Sequence, residues 1–144
     1  SDLMSIIQSG ENSEVEFKTT MRYDVRENKI NKKLEEVILK TIAAFSNKDG
    51  GTLIMGVDDD MNIIGLSNDL KTLKNGTKDE FELHLRNLIN NAYGVEFATN
   101  NLDIQFPIVD DEYIVFTNKG INKAKIDPLL APSTKGITER NKII

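Results

Sequence analysis

The sequence has no cysteine and a single histidine among its 144 residues. Without cysteine the protein has no disulfide, no thiolate metal ligand and no thiol nucleophile, and we expect it in a reducing, cytoplasmic compartment. His84 lies inside a predicted helix, and no nucleophile-elbow motif accompanies it, so a surface or boundary position is expected rather than a catalytic triad. Apolar runs are only a few residues long, so we expect no membrane partner.

The composition is that of a soluble globular domain, with 39% hydrophobic and 28% charged residues. A chain of this length is expected to form one domain over residues 1–144 with a proper core. It begins with Ser1 rather than methionine, and we expect it to be the N-terminal part of a longer, regulator-like protein. Its net charge of −5 opposes nucleic-acid binding unless basic residues collect on one face.

The first half of the chain contains two predicted strands separated by a helix. Residues 14–18 alternate, which places Val15 and Phe17 inward and the charged side chains on the other face. Residues 19–28 are polar and are predicted to be a long loop, and an apolar stripe predicts a helix over residues 30–46. Gly50 and Gly51 allow a sharp reversal into a strand at residues 52–57.

After that strand an acidic turn at residues 58–60 is predicted to lead into another strand at Ile63 and Ile64. A capping box at residues 77–80 begins a second helix that reaches Ala92, with Gly94 as its C-cap. Alternating residues on either side of residue 107 predict an antiparallel hairpin, and residues 118–144 are an unassigned tail. The order β-α-β-β-α-β-β predicts an α+β fold in which helices pack on one mixed sheet.

Three carboxylates, Glu11, Glu16 and Asp59, are candidates for a metal site. Mg²⁺ and Mn²⁺ prefer oxygen ligands, and a bound ion of this kind activates water and stabilises a phosphodiester transition state. The competing interpretation is that the glutamates form a solvated strand face and the aspartate belongs to a turn. The residues alone favour that second interpretation.

Basic side chains collect just before and within the first predicted helix. They are candidates for phosphate contacts, although glutamates nearby make a solvated helix face equally reasonable. The residues in question are Lys18, Arg22, Arg26, Lys32 and Lys33.

Several of these pieces, taken in order, resemble the Schlafen AlbA-like domain. The similar segments are Glu11 with Val15-Glu16-Phe17-Lys18, the helix end Ala44-Phe45-Ser46-Asn47, the segment from Gly50 to Asp59, and Ile64-Gly65. The resemblance implies an α+β domain that binds RNA or DNA. It also implies that Glu11, Glu16 and Asp59 match the catalytic metal ligands of members that cleave structured RNA with Mg²⁺ or Mn²⁺.

Three functions follow as expectations. The first is a nucleic-acid-binding module, and the second is a metal-dependent endoribonuclease using the three carboxylates. The third is a protein-interaction or dimerisation domain. Nuclease members of the family join two such modules in one chain, so a homodimer of this single module is expected to restore that arrangement.

Overall fold

The computed structural model describes residues 2–119, which contain five helices and eight strands. In chain order these are α1 Asp2–Ser9, β1 Val15–Lys18, β2 Tyr23–Asp24, β3 Lys29–Ile30, α2 Lys32–Ser46, β4 Thr52–Met55, α3 Ser67–Leu70, α4 Lys78–Tyr93, α5 Val95–Asn101, β5 Leu102–Gln105, β6 Ile108–Val109, β7 Glu112–Tyr113 and β8 Val115–Lys119. None of these helices is long and apolar enough to cross a membrane.

The main sheet has four strands in the order β1-β4-β8-β5. Strands β1 and β4 are parallel, with Phe17 paired to Ile54, whereas β8 is antiparallel to both of its neighbours. A parallel pair needs a crossover, and here the hairpin β2-β3 and the helix α2 provide it. The predicted α+β fold with a mixed sheet is therefore confirmed.

Side chains of β4 alternate between two hydrophobic cores, one on each face of the sheet. Leu53 and Met55 belong to the larger core, which α2, α4 and α5 cover, whereas Ile54 joins a smaller core with Phe17 and Ile7 of α1. Burying each side chain of this size stabilises the fold by roughly 1.5–3 kcal/mol. Helices thus pack on both faces of β4, which explains why that strand is apolar on both sides.

Helix α2 begins later than the sequence predicts. The Asn31 side chain accepts a hydrogen bond from the Lys33 N–H, so the helix begins at Lys32 rather than at residue 30. Its buried stripe, which includes Ile38 and Ile42, packs on the larger core.

Helix α4 is capped as the capping box predicts, because the Thr77 hydroxyl accepts from the Glu80 N–H. The Glu80 carboxylate differs from the prediction: it accepts from the N–H groups of Asn75 and Gly76 instead of the cap residue. The predicted antiparallel pairing across residue 107 is confirmed by β5 and β8, with the short hairpin β6-β7 between them.

Two predicted segments are wrong. Residues 19–28 are not one long loop, because Tyr23 and Asp24 form β2 and pair with β3. Ile63 and Ile64 do not form a strand, since Ile63 makes only an isolated bridge to Val57. Helices α1, α3 and α5 lie outside the predicted order, and the first two residues of the unassigned tail belong to β8, while the rest of that tail lies outside the described residues.

Candidate nucleic-acid interface

The candidate site lies where the parallel strands β1 and β4 end. Lys18 ends β1, and its carbonyl accepts a hydrogen bond from the N–H of Gly56, directly after β4. Gly56 has a φ of 94°, and a Cβ there would lie 3.0 Å from the carbonyl oxygen of Gly65, so this close approach requires glycine. The turn that carries Asp59 therefore leaves the sheet next to Lys18.

Glu11 and Glu16 are brought together along the outer edge of β1. The Phe17 N–H points away from β4 and donates to Oε2 of Glu11 at 2.9 Å. Glu16 contacts Lys18 on its own strand, with Oε2 3.4 Å from the Lys18 Nζ. Partial burial and then a side-chain hydrogen bond with Glu11 raise the pKa of Glu16 above its usual 4.5, and Lys18 opposes that rise.

Asp59 does not join the two glutamates in a common ligand set. Among residues 2–119 no group of three or more histidine, aspartate and glutamate side chains is arranged to hold a metal ion. Asp59 instead lines a cavity whose lining includes Lys18 but neither glutamate. The pair Glu11 and Glu16 fits one side of a cation site, whereas the set of three does not fit in this arrangement, so the metal site stays a prediction.

That cavity has a volume of about 350 Å³ and lies between the end of β1, the hairpin β2-β3 and the first half of α2; we call it the hairpin cavity. Its apolar lining includes Val25 of the hairpin and Leu34 and Val37 of α2. Two of these side chains are unusually open for aliphatic residues, since Val25 is 48% exposed and Val37 is 39% exposed. Lys18, Arg26 and Asp59 supply charged groups of both signs to the same cavity.

A single buried carboxylate holds the hairpin in place. Asp69 of α3 is only 1% exposed, and it accepts hydrogen bonds from the N–H groups of Met21, Arg22 and Tyr23 at 2.6–3.0 Å. Burial raises the pKa of Asp69, and the three N–H donors oppose that rise. Sequence analysis did not identify Asp69, because its partners lie 46–48 residues away and no local pattern connects them.

Arg22, a predicted phosphate contact, is engaged within the protein. Its Nε donates to the Thr72 hydroxyl at 3.0 Å, and its Nη2 donates to the Thr72 carbonyl at 2.8 Å. Lys71 reinforces this connection, because its Nζ lies 4.2 Å from the centre of the Tyr23 ring. These contacts join the segment after α3 to the hairpin, so Arg22 positions the hairpin in this structure.

Three of the other predicted basic residues, Arg26, Lys32 and Lys33, remain exposed, whereas Lys18 is half-buried and lies within ion-pair distance of Glu16. Arg26 follows β2, and Lys32 and Lys33 form the first turn of α2; Lys29 on β3 lies close to them in sequence. Within residues 2–119 none of the four forms an ion pair. We call this set, Arg26, Lys29, Lys32 and Lys33, the α2 cationic surface.

The only histidine has a structural partner. His84 of α4 and Glu35 of α2 approach to 2.6 Å between Nε2 and Oε2, and the Glu35 side chain is only 10% exposed. Glu35 is the acidic residue in the first turn of α2, and it faces α4 rather than the lysines beside it. The expected boundary position of His84 agrees with its 31% side-chain exposure.

The four-stranded mixed sheet, with its parallel β-α-β unit and helices on both faces, defines a domain of the α+β class. The chain belongs to the Schlafen, AlbA_2 family, whose model matches residues 11–141. At the level of the family this makes it a nucleic-acid-related domain. No curated protein matches the sequence.

Proposed function

We propose that the protein is a nucleic-acid-binding module of a regulator-like protein and that the α2 cationic surface contacts the phosphate backbone. The observation that supports this most strongly is the placement of Lys32 and Lys33 at the start of a 15-residue helix. The N-terminus of a helix is its positive end, so two lysines there repel the helix dipole. A phosphate bound at this point relieves that repulsion.

The neighbouring charges support the same proposal. Glu35 is the acidic residue in the first turn, and it is buried against His84 instead of compensating the lysines. Arg26 and Lys29 add two further exposed cations from the hairpin. A protein with a net charge of −5 thus keeps a local group of exposed cations that form no ion pair within residues 2–119, which is what phosphate binding needs.

The test measures affinity for single-stranded RNA, single-stranded DNA and duplex DNA over a range of salt concentrations. We expect a steep fall in affinity with salt, and the double variant Lys32→Gln/Lys33→Gln should reduce the slope of log K against log salt by about 1–2. The control is Lys40→Gln/Lys74→Gln, which removes the same charge from exposed positions away from that turn. An affinity that does not change with salt concentration, or no binding to any of the three ligands, would refute the proposal.

A second candidate function, metal-dependent endoribonuclease, is favoured by the contact between Glu11 and Glu16. Two neighbouring carboxylates, of which Glu16 has a pKa raised by burial and by Glu11, repel each other when both are ionised, and a cation placed between them removes that repulsion. Glu11, Glu16 and Asp59 would hold Mg²⁺ or Mn²⁺, which when bound supplies an activated water for attack at phosphorus. For Asp59 to take part, its turn has to move toward the glutamates.

This candidate is tested by titrating Mn²⁺ into wild type, Glu16→Gln and Asp59→Asn and following paramagnetic broadening of backbone NMR signals. Broadening centred on residues 11–17 in wild type and its loss in Glu16→Gln are expected. Cleavage of a structured RNA is then measured with and without chelator. If Asp59→Asn cleaves the RNA as fast as wild type, Asp59 is not part of the catalytic site. Sedimentation of the protein with RNA present then measures whether two copies of the chain assemble on the RNA.

A further inference from the structure

The hairpin cavity has a combination of groups that phosphate binding alone does not explain. Its aliphatic residues come from two different elements, Val25 from the hairpin and Leu34 and Val37 from α2. Exposed aliphatic side chains that line one cavity from two sides favour a flat, apolar group between them. A phosphate has no apolar surface that could pack against these side chains, so another part of the ligand has to occupy the aliphatic part of the cavity.

The charged residues of the cavity restrict the classes of ligand that it can bind. Asp59 is exposed, and within residues 2–119 its carboxylate has no hydrogen bond or ion pair. The other aspartate of the lining, Asp24, is committed to the turn, since its Oδ1 accepts from the N–H groups of Arg26 and Glu27. Asp59 is therefore the carboxylate of the cavity that remains available to accept hydrogen bonds from a ligand.

Lys18 and Arg26 lie in the same cavity and distinguish between classes of ligand. A lysine or arginine side chain of a peptide would suit Asp59, but the two cations would repel it. A nucleotide suits both signs, because its base donates to Asp59 while its phosphate is attracted to the cations. Arg26 also belongs to the α2 cationic surface, so a nucleic-acid strand bound to that surface passes the opening of the cavity.

We propose that the hairpin cavity receives one unpaired nucleobase, preferably guanine, of the strand whose phosphates bind the α2 cationic surface. This inference rests on the proposed nucleic-acid-binding function and adds the class of base to it. The Watson–Crick edge of guanine carries two adjacent donors, N1–H and the N2 amino group, which match the two oxygens of the Asp59 carboxylate. The volume of about 350 Å³ is sufficient for one nucleobase and its sugar, and a paired guanine would not bind this way because its Watson–Crick donors are already engaged.

The test uses eight-nucleotide RNAs of uridine with one central guanosine, inosine or adenosine, with affinities measured by fluorescence anisotropy in the presence of EDTA. Inosine lacks only the N2 amino group of guanosine, so it removes one of the two donors. We expect guanosine to bind roughly tenfold more tightly than inosine, because one charge-assisted hydrogen bond is lost. Placing the guanosine in a base-paired stem should abolish this advantage.

Two matched pairs of variants locate the effect. Asp59→Asn should abolish the preference for guanosine over inosine. The control Asp60→Asn removes the same charge from the next residue and should leave that preference unchanged. Val37→Asn should weaken binding of the guanosine RNA, whereas Val95→Asn, at a 64% exposed position of α5, should not. Val37 is itself exposed, so Val37→Asn is expected to fold, and circular dichroism checks this.

The outcomes separate the two proposals. Salt-dependent binding with equal affinity for guanosine and inosine overturns the base pocket and leaves the phosphate surface standing. Equal effects of Asp59→Asn and Asp60→Asn likewise overturn the role of Asp59. Loss of binding to every RNA, including one of uridine alone, refutes the proposed function itself.

Discussion

Strands β1 and β4 have a cavity at each end, and helix α2 runs from one cavity to the other. The first half of α2 lines the hairpin cavity, whereas the residues that follow its last turn, including Lys48 and Gly50, line a cavity of about 540 Å³ at the amino ends of the strands. A helix is positive at its start and negative at its end. By this argument the smaller cavity is the better place for a polyanion, although the cavity at the other end is larger.

The cations at the two ends also differ in what already holds them. At the amino end the Lys48 Nζ donates to the Ser13 carbonyl at 2.7 Å and lies 5.8 Å from the centre of the Phe45 ring. At the carboxyl end Arg26 has no ion pair within the described part of the chain, and neither do Lys32 and Lys33 at the start of α2. The comparison shows that available charge, rather than the presence of charge, separates a candidate ligand site from a structural cavity.

The largest expected effect on stability comes from removing the Asp69 carboxylate, which holds the hairpin that lines the cavity. Asp69→Ala removes the acceptor of three buried or half-buried N–H groups, so the free energy of unfolding should fall by about 2–3 kcal/mol. Chemical denaturation measures this, and nucleic-acid affinity should fall with it because the hairpin loses its position. The control is Asp79→Ala, whose side chain is 89% exposed; equal stability of the two variants would contradict the role of Asp69.

A second effect belongs to the amino end and should leave binding intact. A Cβ on Gly51 would lie 2.3 Å from the Phe45 ring, so Gly51→Ala forces the ring to move and should cost about 1–3 kcal/mol of stability. Affinity for nucleic acid, measured where the variant is fully folded, should equal that of wild type. Ser13→Ala at the same end is the control for stability, and a loss of affinity in folded Gly51→Ala would show that the two ends are not independent.

A direct comparison of the ends removes one positive charge from each. Arg26→Gln should weaken binding of a single-stranded RNA several-fold at low salt, and the deficit should shrink as salt is added. Lys48→Gln should change the affinity little, since its ammonium group is already hydrogen-bonded to Ser13. Anisotropy titrations measure both, and the comparison fails when the two variants behave alike.

The smallest expected effect concerns Glu16 and pH. Because the folded state raises the pKa of Glu16 above 4.5, ionisation of Glu16 costs stability above the raised pKa, and this cost disappears as the pH falls below 4.5. Glu16→Gln should therefore be more stable than wild type at about pH 7, by less than about 1 kcal/mol since the group is partly exposed, and equal to it at about pH 4. Urea denaturation at both pH values tests this, with Glu14→Gln as the control.

The elements with strong periodicity could be predicted from the sequence. Strand β1 and helices α2 and α4 each bury one face, β4 is an apolar run buried on both faces, and local caps at Asn31 and Thr77 set where the helices begin. The hairpin β2-β3 could not be predicted, because strands of two residues have no period and Asp69 fixes them from 46–48 residues away. Ile63 and Ile64 have the composition of a strand, but only one bridge forms beside them.

For the candidate site, the sequence could predict which residues are candidates but not which of them lie together. The local order of residues places Glu11 and Glu16 near one strand, and the structure brings them into contact. Which cations are available could not be predicted, since the partner of Arg22 is Thr72, fifty positions away in the sequence. Asp59 lines the hairpin cavity and does not join the glutamates in one ligand set, which spacing in the sequence does not reveal.

The hydrogen bond from the Phe17 N–H to Glu11 has a consequence for assembly. Among the described residues strand β1 is an edge of the sheet, and an edge with free N–H groups invites pairing with a strand of another chain. The Glu11 carboxylate occupies the donor at the centre of that edge and presents a negative charge to any approaching strand. A ligand that draws Glu11 away would uncover the donor, so ligand binding at Glu11 would favour strand pairing at this edge rather than oppose it.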